Sequence, residues 1–306
     1  IYYYYILYIM KFDKVFLVDD SVSGVGGTSL TLDAIIEPHK DIVKLISTVD
    51  FSLKDAFEEK VFFILGNLTN FSKNSLDAIV ALMENKPFCK IEFDYGYCPY
   101  RGSIPHKILG KADCNCPYGK DSQLHLREIY ELIKNNSLHI FYMSEAQMRI
   151  HDKHLLGISP EKKSVLSSCF TESTLLKFKT LKEKQKNNKY AIIDGNGGWH
   201  SEAKGVEKSI EYAKNNNLKF DLIKTKTHDE MLNLLSNYKG LITFPIIDDT
   251  CPRITLEARY MGLDIITNNF SQHITEIWWK GSDEKAINFT SSRPKFFWDK
   301  IKCLKY

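Results

Sequence analysis

The chain has 306 residues, with 41 Lys and Arg against 38 Asp and Glu, and its apolar content is ordinary for a globular protein. This length suits two domains better than a single core, and the composition argues against extended disorder. The nearly balanced charge excludes the strong positive field typical of nucleic-acid binding, so no nucleic-acid partner is expected.

The first residues differ from the rest of the chain. The segment "IYYYYILYIM" is apolar and aromatic, but it is too short to span a bilayer and lacks the basic start and cleavage site of a signal peptide. We therefore predict that residues 1–9 are an extension outside the fold. No other long apolar run follows, so we expect a cytoplasmic protein, with peripheral contact to a membrane as an alternative.

Strand and helix signals then alternate in two sets. Short apolar runs typical of buried parallel strands occur at "KVFLVD" (14–19), "KVFFILG" (60–66), "FCKIEFD" (88–94), "LHIFYM" (138–143), "KYAIIDG" (189–195), "LKFDLIK" (218–224), "GLITFP" (240–245) and "LDIITNN" (263–269). Amphipathic helical patterns separate most of these runs, and repeated strand–helix–strand units predict parallel sheets with right-handed crossovers.

The fold class predicted is therefore α/β, with two Rossmann-like parallel-sheet domains. We place the first domain at residues 10–165 and the second at 166–288. The last stretch, 289–306, is predicted to be a helix that packs back on the first domain.

The segment "FPIIDDTCPRITLEARYMGLDIITNN" (244–269) places acids between a strand and a helix. Ligands of open parallel sheets bind at the carboxyl ends of strands. Pro252 suits the first helical position, so the amides of Arg253, Ile254 and Thr255 are predicted to be unpaired and to bind an anion. The nearby carboxylates of Asp249 and Glu257 suit a phosphorylated ligand that also carries hydroxyl groups. Glu257 as an ordinary acid near a helix start remains an open alternative.

Asp249 and Glu257 enclose seven residues (250–256), and Ala258, Gly262 and a strand follow. This pattern resembles the "E-x7-E" donor site of GT-B glycosyltransferases of the group 1 or family 4 kind, with Asp in place of the first Glu. The resemblance implies two domains facing across a cleft and transfer of a sugar from a nucleotide-sugar with retention of configuration. It implies that Glu257 holds the ribose and that Asp249 contacts the donor sugar.

Other segments resemble parts of the same family. "SEAKGVEKSIEYAKNN" is similar to the family helix that carries a diphosphate-binding Lys, which corresponds to Lys204. The family usually has an Arg several residues earlier, where this chain has "DGNGGWH" (194–200), so Arg253 or the glycine amides would have to replace it. The resemblance further implies that these residues bind the donor: Gly26, Gly27, Gly198, Thr227, Pro252, Arg253 and Ile254.

Asp94 ends a predicted strand and, by the same resemblance, is expected near the reacting centre with Lys204, Asp249 and Glu257. The donor implied is a UDP- or GDP-sugar, the acceptor a glycan, a lipid or another molecule, and no other cofactor is expected. Because the family Arg is missing, a catalytically degenerate nucleotide-sugar-binding protein is an alternative. An NAD(P)-dependent oxidoreductase is less favoured, because "GVGGTS" (24–29) does not match G-x-G-x-x-G.

The segment "DYGYCPYRGSIPHKILGKADCNCPYGK" (94–120) contains three of the seven cysteines. Cys98, His106, Cys114 and Cys116 could bind zinc, but the spacing lacks a C-x2-C pair. The sequence therefore favours buried free thiols and no metal. A third alternative is an acceptor-binding loop, in which Tyr95, Tyr97, Tyr100 and Arg101 would contact a sugar.

Overall fold

A computed structural model describes residues 12–22, 26–116, 124–154, 157–194, 197–224 and 227–304. The chain divides into two compact units. The first unit runs to Cys169 and takes in the segment that begins at Arg293, and the second unit is Phe170–Ser292. The predicted domain boundaries, 165/166 and 288/289, lie four residues before these divisions, and the predicted extension 1–9 lies outside the described residues.

The described part of the first unit contains a six-stranded parallel sheet in the order β2-β1-β3-β4-β5-β6. Its strands are β1 (Lys14–Asp19), β2 (Val43–Ser47), β3 (Val61–Leu65), β4 (Phe88–Glu92), β5 (His139–Tyr142) and β6 (Lys163–Val165). Every residue of β3 and β4 is buried. Central parallel strands are covered on both faces, which is why these strands are continuous apolar runs without alternation.

The helices of the first unit are α1 (Gly27–Ile36), α2 (Leu53–Ala56), α3 (Lys73–Asn85), α4 (Ser103–Leu109), α5 (Leu124–Asn136) and α6 (Glu145–His154), with α13 (Arg293–Lys302) returning from the end of the chain. Trp298 on α13 donates a hydrogen bond from Nε1 to the backbone oxygen of Ile35, 2.8 Å away. The Phe297 ring lies 4.7 Å from the ring of Phe141 on β5. The last helix is therefore part of the core of the first unit.

Among the described residues of the second unit, four parallel strands lie in the order β10-β9-β7-β8. They are β7 (Tyr190–Ile193), β8 (Phe220–Ile223), β9 (Gly240–Thr243) and β10 (Asp264–Thr267). The helices are α7 (Glu172–Lys182), α8 (Gly198–Ala203), α9 (Val206–Asn215), α10 (His228–Leu235), α11 (Arg253–Tyr260) and α12 (Asp283–Ser291). The prediction of two Rossmann-like α/β units with parallel sheets is thus confirmed.

A membrane span would require a long apolar helix. Within the described ranges, no helix is both long and apolar enough to cross a membrane.

Candidate functional site

Lys204 and Asp249 form an ion pair at the edge of the second sheet where the carboxyl ends of the strands lie. Lys204, in the turn between α8 and α9, places Nζ 2.6 Å from Oδ2 of Asp249, which lies in the loop after β9. The Asp249 amide donates to the Phe270 carbonyl at 2.8 Å, and the Asp249 carbonyl accepts from the Gln272 amide at 3.1 Å. The loop that carries Asp249 is therefore fixed, whereas the Lys204 side chain is 53% exposed and can turn toward a ligand.

Gly205 sets the position of Lys204. Its φ is +64°, and a Cβ there would lie 1.7 Å from the carbonyl oxygen of Phe244, which directly follows β9. Ser209 joins the same two segments, because its hydroxyl donates to the Gly205 carbonyl at 2.8 Å and accepts from the Phe244 amide at 3.0 Å. Only glycine allows this backbone contact, and the contact holds the α8–α9 turn against the end of β9.

Gly205→Ala is expected to lower the free energy of unfolding by about 3 kcal/mol or more, because it combines a strained φ with a backbone clash. Gly198→Ala is a matched control, since Gly198 has φ +59° but nothing within 4 Å of the added Cβ. It should cost only about 1–2 kcal/mol. Urea unfolding followed by tryptophan fluorescence measures both, and equal losses would show that the Phe244 contact is unimportant.

Glu257 lies on α11 and is only 1% exposed. Its Oε1 accepts hydrogen bonds at 2.8 Å from both Nε of Arg253, one turn earlier, and Nε2 of His228 on α10. Arg253 is 6% exposed, and its guanidinium carbon lies 4.1 Å from the centre of the Phe170 ring. Two donors thus hold the carboxylate in one orientation, and the Phe170 ring packs against one of them, the Arg253 guanidinium.

The start of α11 differs from the prediction. Pro252 is the N-cap rather than the first helical residue. The amide of Arg253 donates to the Cys251 carbonyl at 2.6 Å, and the amide of Thr255 donates to the Pro252 carbonyl at 3.0 Å. The prediction of unpaired amides is therefore wrong for Arg253 and Thr255, because the tight turn through Pro252 supplies local acceptors. Ile254, the third predicted amide, lies between them on the first turn of the helix.

Thr227, predicted to bind the donor, caps α10. Its hydroxyl accepts from the Glu230 amide at 3.2 Å, and the Glu230 carboxylate accepts from the Thr227 amide at 3.1 Å. This capping box fixes the first turn of α10 and with it His228, the next residue. Sequence analysis did not identify His228 as a site residue, although its place directly after a helix cap, in the connection that follows β8, was a usable signal.

A second polar group lies at the same edge, after β7 and β8. The Lys224 ammonium is 2.8 Å from Oδ2 of Asp194, and the Ser201 hydroxyl donates to Oδ1. Lys224 and Ser201 hold the pKa of Asp194 below its ordinary value. Ser201 also accepts from the Gly197 amide at 2.8 Å, beside the exposed Gly198. Gly198 was predicted to bind the donor, whereas Asp194, Ser201 and Lys224 were missed, although Asp194 and Lys224 each directly follow a strand.

In the first unit, Arg101 connects the carboxyl ends of three strands. One guanidinium nitrogen, Nη1, is 2.9 Å from Oδ2 of Asp94, after β4. The other, Nη2, is 3.1 Å from the Thr69 hydroxyl and 3.7 Å from Oδ2 of Asp20, after β3 and β1 respectively. Asp94 is therefore part of an ion-pair network, and its side chain remains 35% exposed.

The remaining predicted residues of the first unit have mixed outcomes. Gly26 is the N-cap of α1 and Gly27 its first residue, directly after part of the glycine loop (23–25) that lies outside the described residues. Tyr95 and Tyr97 are 2% and 4% exposed, so the suggestion that they contact a sugar is wrong. Both rings pack in the core of the first unit, because removing a large aromatic ring from water is favourable. Tyr100, at 38%, is exposed.

No family profile matches this chain, and no curated protein matches it in sequence. A crystal structure of Anabaena Alr3699/HepE in complex with UDP and glucose matches it with a TM-score of 0.56 at 12% identity, covering 94% of this chain and 99% of that chain. A second HepE structure, in complex with UDP-glucose, matches with a TM-score of 0.47 at 14% identity, covering 94% of this chain and 92% of that one. The first match shows that the two proteins share a fold.

Proposed function

We propose that the protein is a glycosyltransferase that moves a sugar from a nucleotide-sugar, a UDP- or GDP-sugar, to a glycan, lipid or other acceptor. The observation that carries the proposal is the Lys204–Asp249 pair at the carboxyl edge of the second sheet. Asp249 lies on the same strand–loop–helix segment as Glu257, and Lys204 reaches it from the turn between α8 and α9. The fold shared with HepE, whose crystal structure contains UDP and glucose, supports a UDP-sugar as the donor.

In this proposal each site residue has a separate task. The Lys204 ammonium turns from Asp249 to the diphosphate and stabilises the charge that develops as the sugar leaves, without a catalytic metal. Asp249 is then free to accept a hydroxyl of the donor sugar. Both donors to Glu257 bind Oε1, which leaves Oε2 for the ribose hydroxyls. Because Glu257 is only 1% exposed, this contact requires the side chains that cover the carboxylate to move when the donor binds. Reaction with retention of configuration belongs to the same proposal.

A catalytically degenerate nucleotide-sugar-binding protein is the second candidate. It is favoured by the local pairing of donors that were predicted to bind the diphosphate. Arg253, which could have replaced the missing family Arg, is buried and paired with Glu257, and the amides of Arg253 and Thr255 have local acceptors. Lys204 would then be the main cation for the diphosphate.

Thermal shift against UDP-, GDP-, ADP- and dTDP-sugars, with NADH as a control, tests donor binding. A ligand that binds only the folded state raises Tm, and at 100 times Kd it adds about 2.7 kcal/mol of stability. We expect a rise with a UDP- or GDP-sugar. Release of the free nucleotide on addition of an acceptor would then separate the enzyme from the degenerate protein. Both candidates would be contradicted if only NADH raised Tm, or if none of the ligands raised it.

A further inference from the structure

Four side chains of the first unit converge at a point that plays no part in the proposed sugar transfer. Cys98, His106, Cys114 and Cys116 place their ligand atoms within 4.8 Å of one another, among the residues that the structure describes. The Nδ1 atom of His106 is 3.4 Å from Sγ of Cys98 and 3.3 Å from Sγ of Cys116. The sulfurs of Cys98 and Cys114 are 3.8 Å apart.

We propose that these four residues form a structural zinc site. Zinc binds thiolate sulfur at about 2.3 Å and imidazole nitrogen at about 2.0–2.1 Å, so the edges of a Cys3His tetrahedron are about 3.8 Å between sulfurs and about 3.5 Å between sulfur and nitrogen. The sulfur–sulfur distance of 3.8 Å and the two sulfur–nitrogen distances of 3.4 and 3.3 Å match these edges. The other three edges are at most 4.8 Å, so a Zn²⁺ ion at the centre would draw those ligand atoms together by no more than about 1 Å.

The backbone brings ligands from three places together. Cys98 lies in a turn in which its amide donates to the Tyr95 carbonyl at 3.0 Å. His106 is on α4, and Gly110 directly after that helix allows the chain to return, since a Cβ there would lie 2.7 Å from the His106 carbonyl oxygen. Cys114 and Cys116 follow within the returning segment. The C-x-C spacing is unusual for zinc, so the sequence alone favoured free thiols.

The chemistry of the ligand set indicates a structural rather than a catalytic ion. Four protein ligands complete the tetrahedron and leave no open position for water or substrate. Cys98 is fully buried, His106 is 6% exposed, and Cys114 and Cys116 are half-buried against the core. The ion would tie residues 98–116 to the core and so fix Arg101, which connects the strand ends at Asp94, Thr69 and Asp20.

The test is the metal content of the full chain, expressed with added zinc and purified under reducing conditions without chelators. Plasma mass spectrometry is expected to find one zinc per chain. Cys116→Ser and His106→Ala should each lose most of it, and Cys303→Ser, which changes an exposed cysteine outside the cluster, should keep it. Modification of the wild-type thiols with a mercurial should release one zinc per chain. This second measurement does not depend on the folding of any variant.

Three outcomes would overturn the site. The reduced wild-type chain could contain no zinc and take up none from added zinc sulfate. Zinc could persist in both ligand variants. A thiol titration of the denatured protein, purified without reductant, could find five thiols instead of the seven that the sequence contains, with Cys98 and Cys114 linked as a disulfide. The readouts are metal and thiol contents, so failure of the proposed sugar transfer would leave this test unaffected.

Discussion

Lys204→Met is expected to reduce the rate of sugar transfer by about 10²- to 10³-fold, the usual effect of removing one group that stabilises developing negative charge. Lys204 is the half-exposed cation of the candidate donor site, and Gly205 holds it against the end of β9. Its charge would act mainly on the departing diphosphate. The reduction should therefore fall on kcat more than on KM for the donor.

Lys208→Met is the matched control. Lys208 is an exposed lysine on α9, one helical turn beyond Lys204, so its removal changes the net charge equally. Steady-state kinetics with the donor found by thermal shift should give the control near-wild-type values. Equal rates in both variants and the wild type would remove Lys204 from the mechanism, and equal losses in both would indicate a general effect of charge.

Glu257→Ala is expected to lower the free energy of unfolding of the second unit by about 3–5 kcal/mol, because it leaves a buried cation without its partner. Arg253 is 6% exposed and donates to Glu257, as does His228. Urea unfolding followed by fluorescence measures the loss. A variant as stable as the wild type would mean that the buried pair contributes nothing to folding.

Two further variants separate the structural role of Glu257 from its role in binding. Glu257→Gln keeps an oxygen that can accept from Arg253 and His228, so it should be more stable than Glu257→Ala and still bind the donor more weakly. Replacing Arg253 and Glu257 together by Leu removes both charges and should recover much of the stability. Donor titration by calorimetry should then find no binding to the double variant, and unchanged affinity would refute the ribose assignment.

In the first sheet, the sequence predicted the four central strands and missed the two edge strands. β3 is buried at every residue, and such strands are continuous apolar runs that pattern analysis detects. β2 and β6 were not predicted. β2 has one buried residue and β6 has none, and each lies at an end of the first sheet, where a strand is covered less. Low burial alone does not explain the difference, because the edge strands β8 and β10 of the second sheet have one buried residue and none, and both were predicted.

The candidate site was predictable in its motif and not in its partners. Asp249 and Glu257 follow from the order of residues between a strand and a helix, and Lys204 follows from the resemblance to the family helix. That Lys204 pairs with Asp249, and His228 with Glu257, depends on contacts between residues 45 and 29 positions apart. The segment 201–216 resembles a single family helix, whereas in the structure α8 ends at Ala203 and α9 begins at Val206, with the contact of Gly205 with Phe244 in the turn between them. Lys204 lies in that turn.

The return of α13 to the first unit has a consequence for the order of folding. The second unit is one continuous segment, Phe170–Ser292, so all of it has been synthesised before the last helix leaves the ribosome. The first unit lacks Trp298 and its hydrogen bond to Ile35 until that point. During translation the second unit can therefore finish folding before the first unit does. Until α13 is synthesised, the apolar surface of the first unit that this helix covers stays exposed.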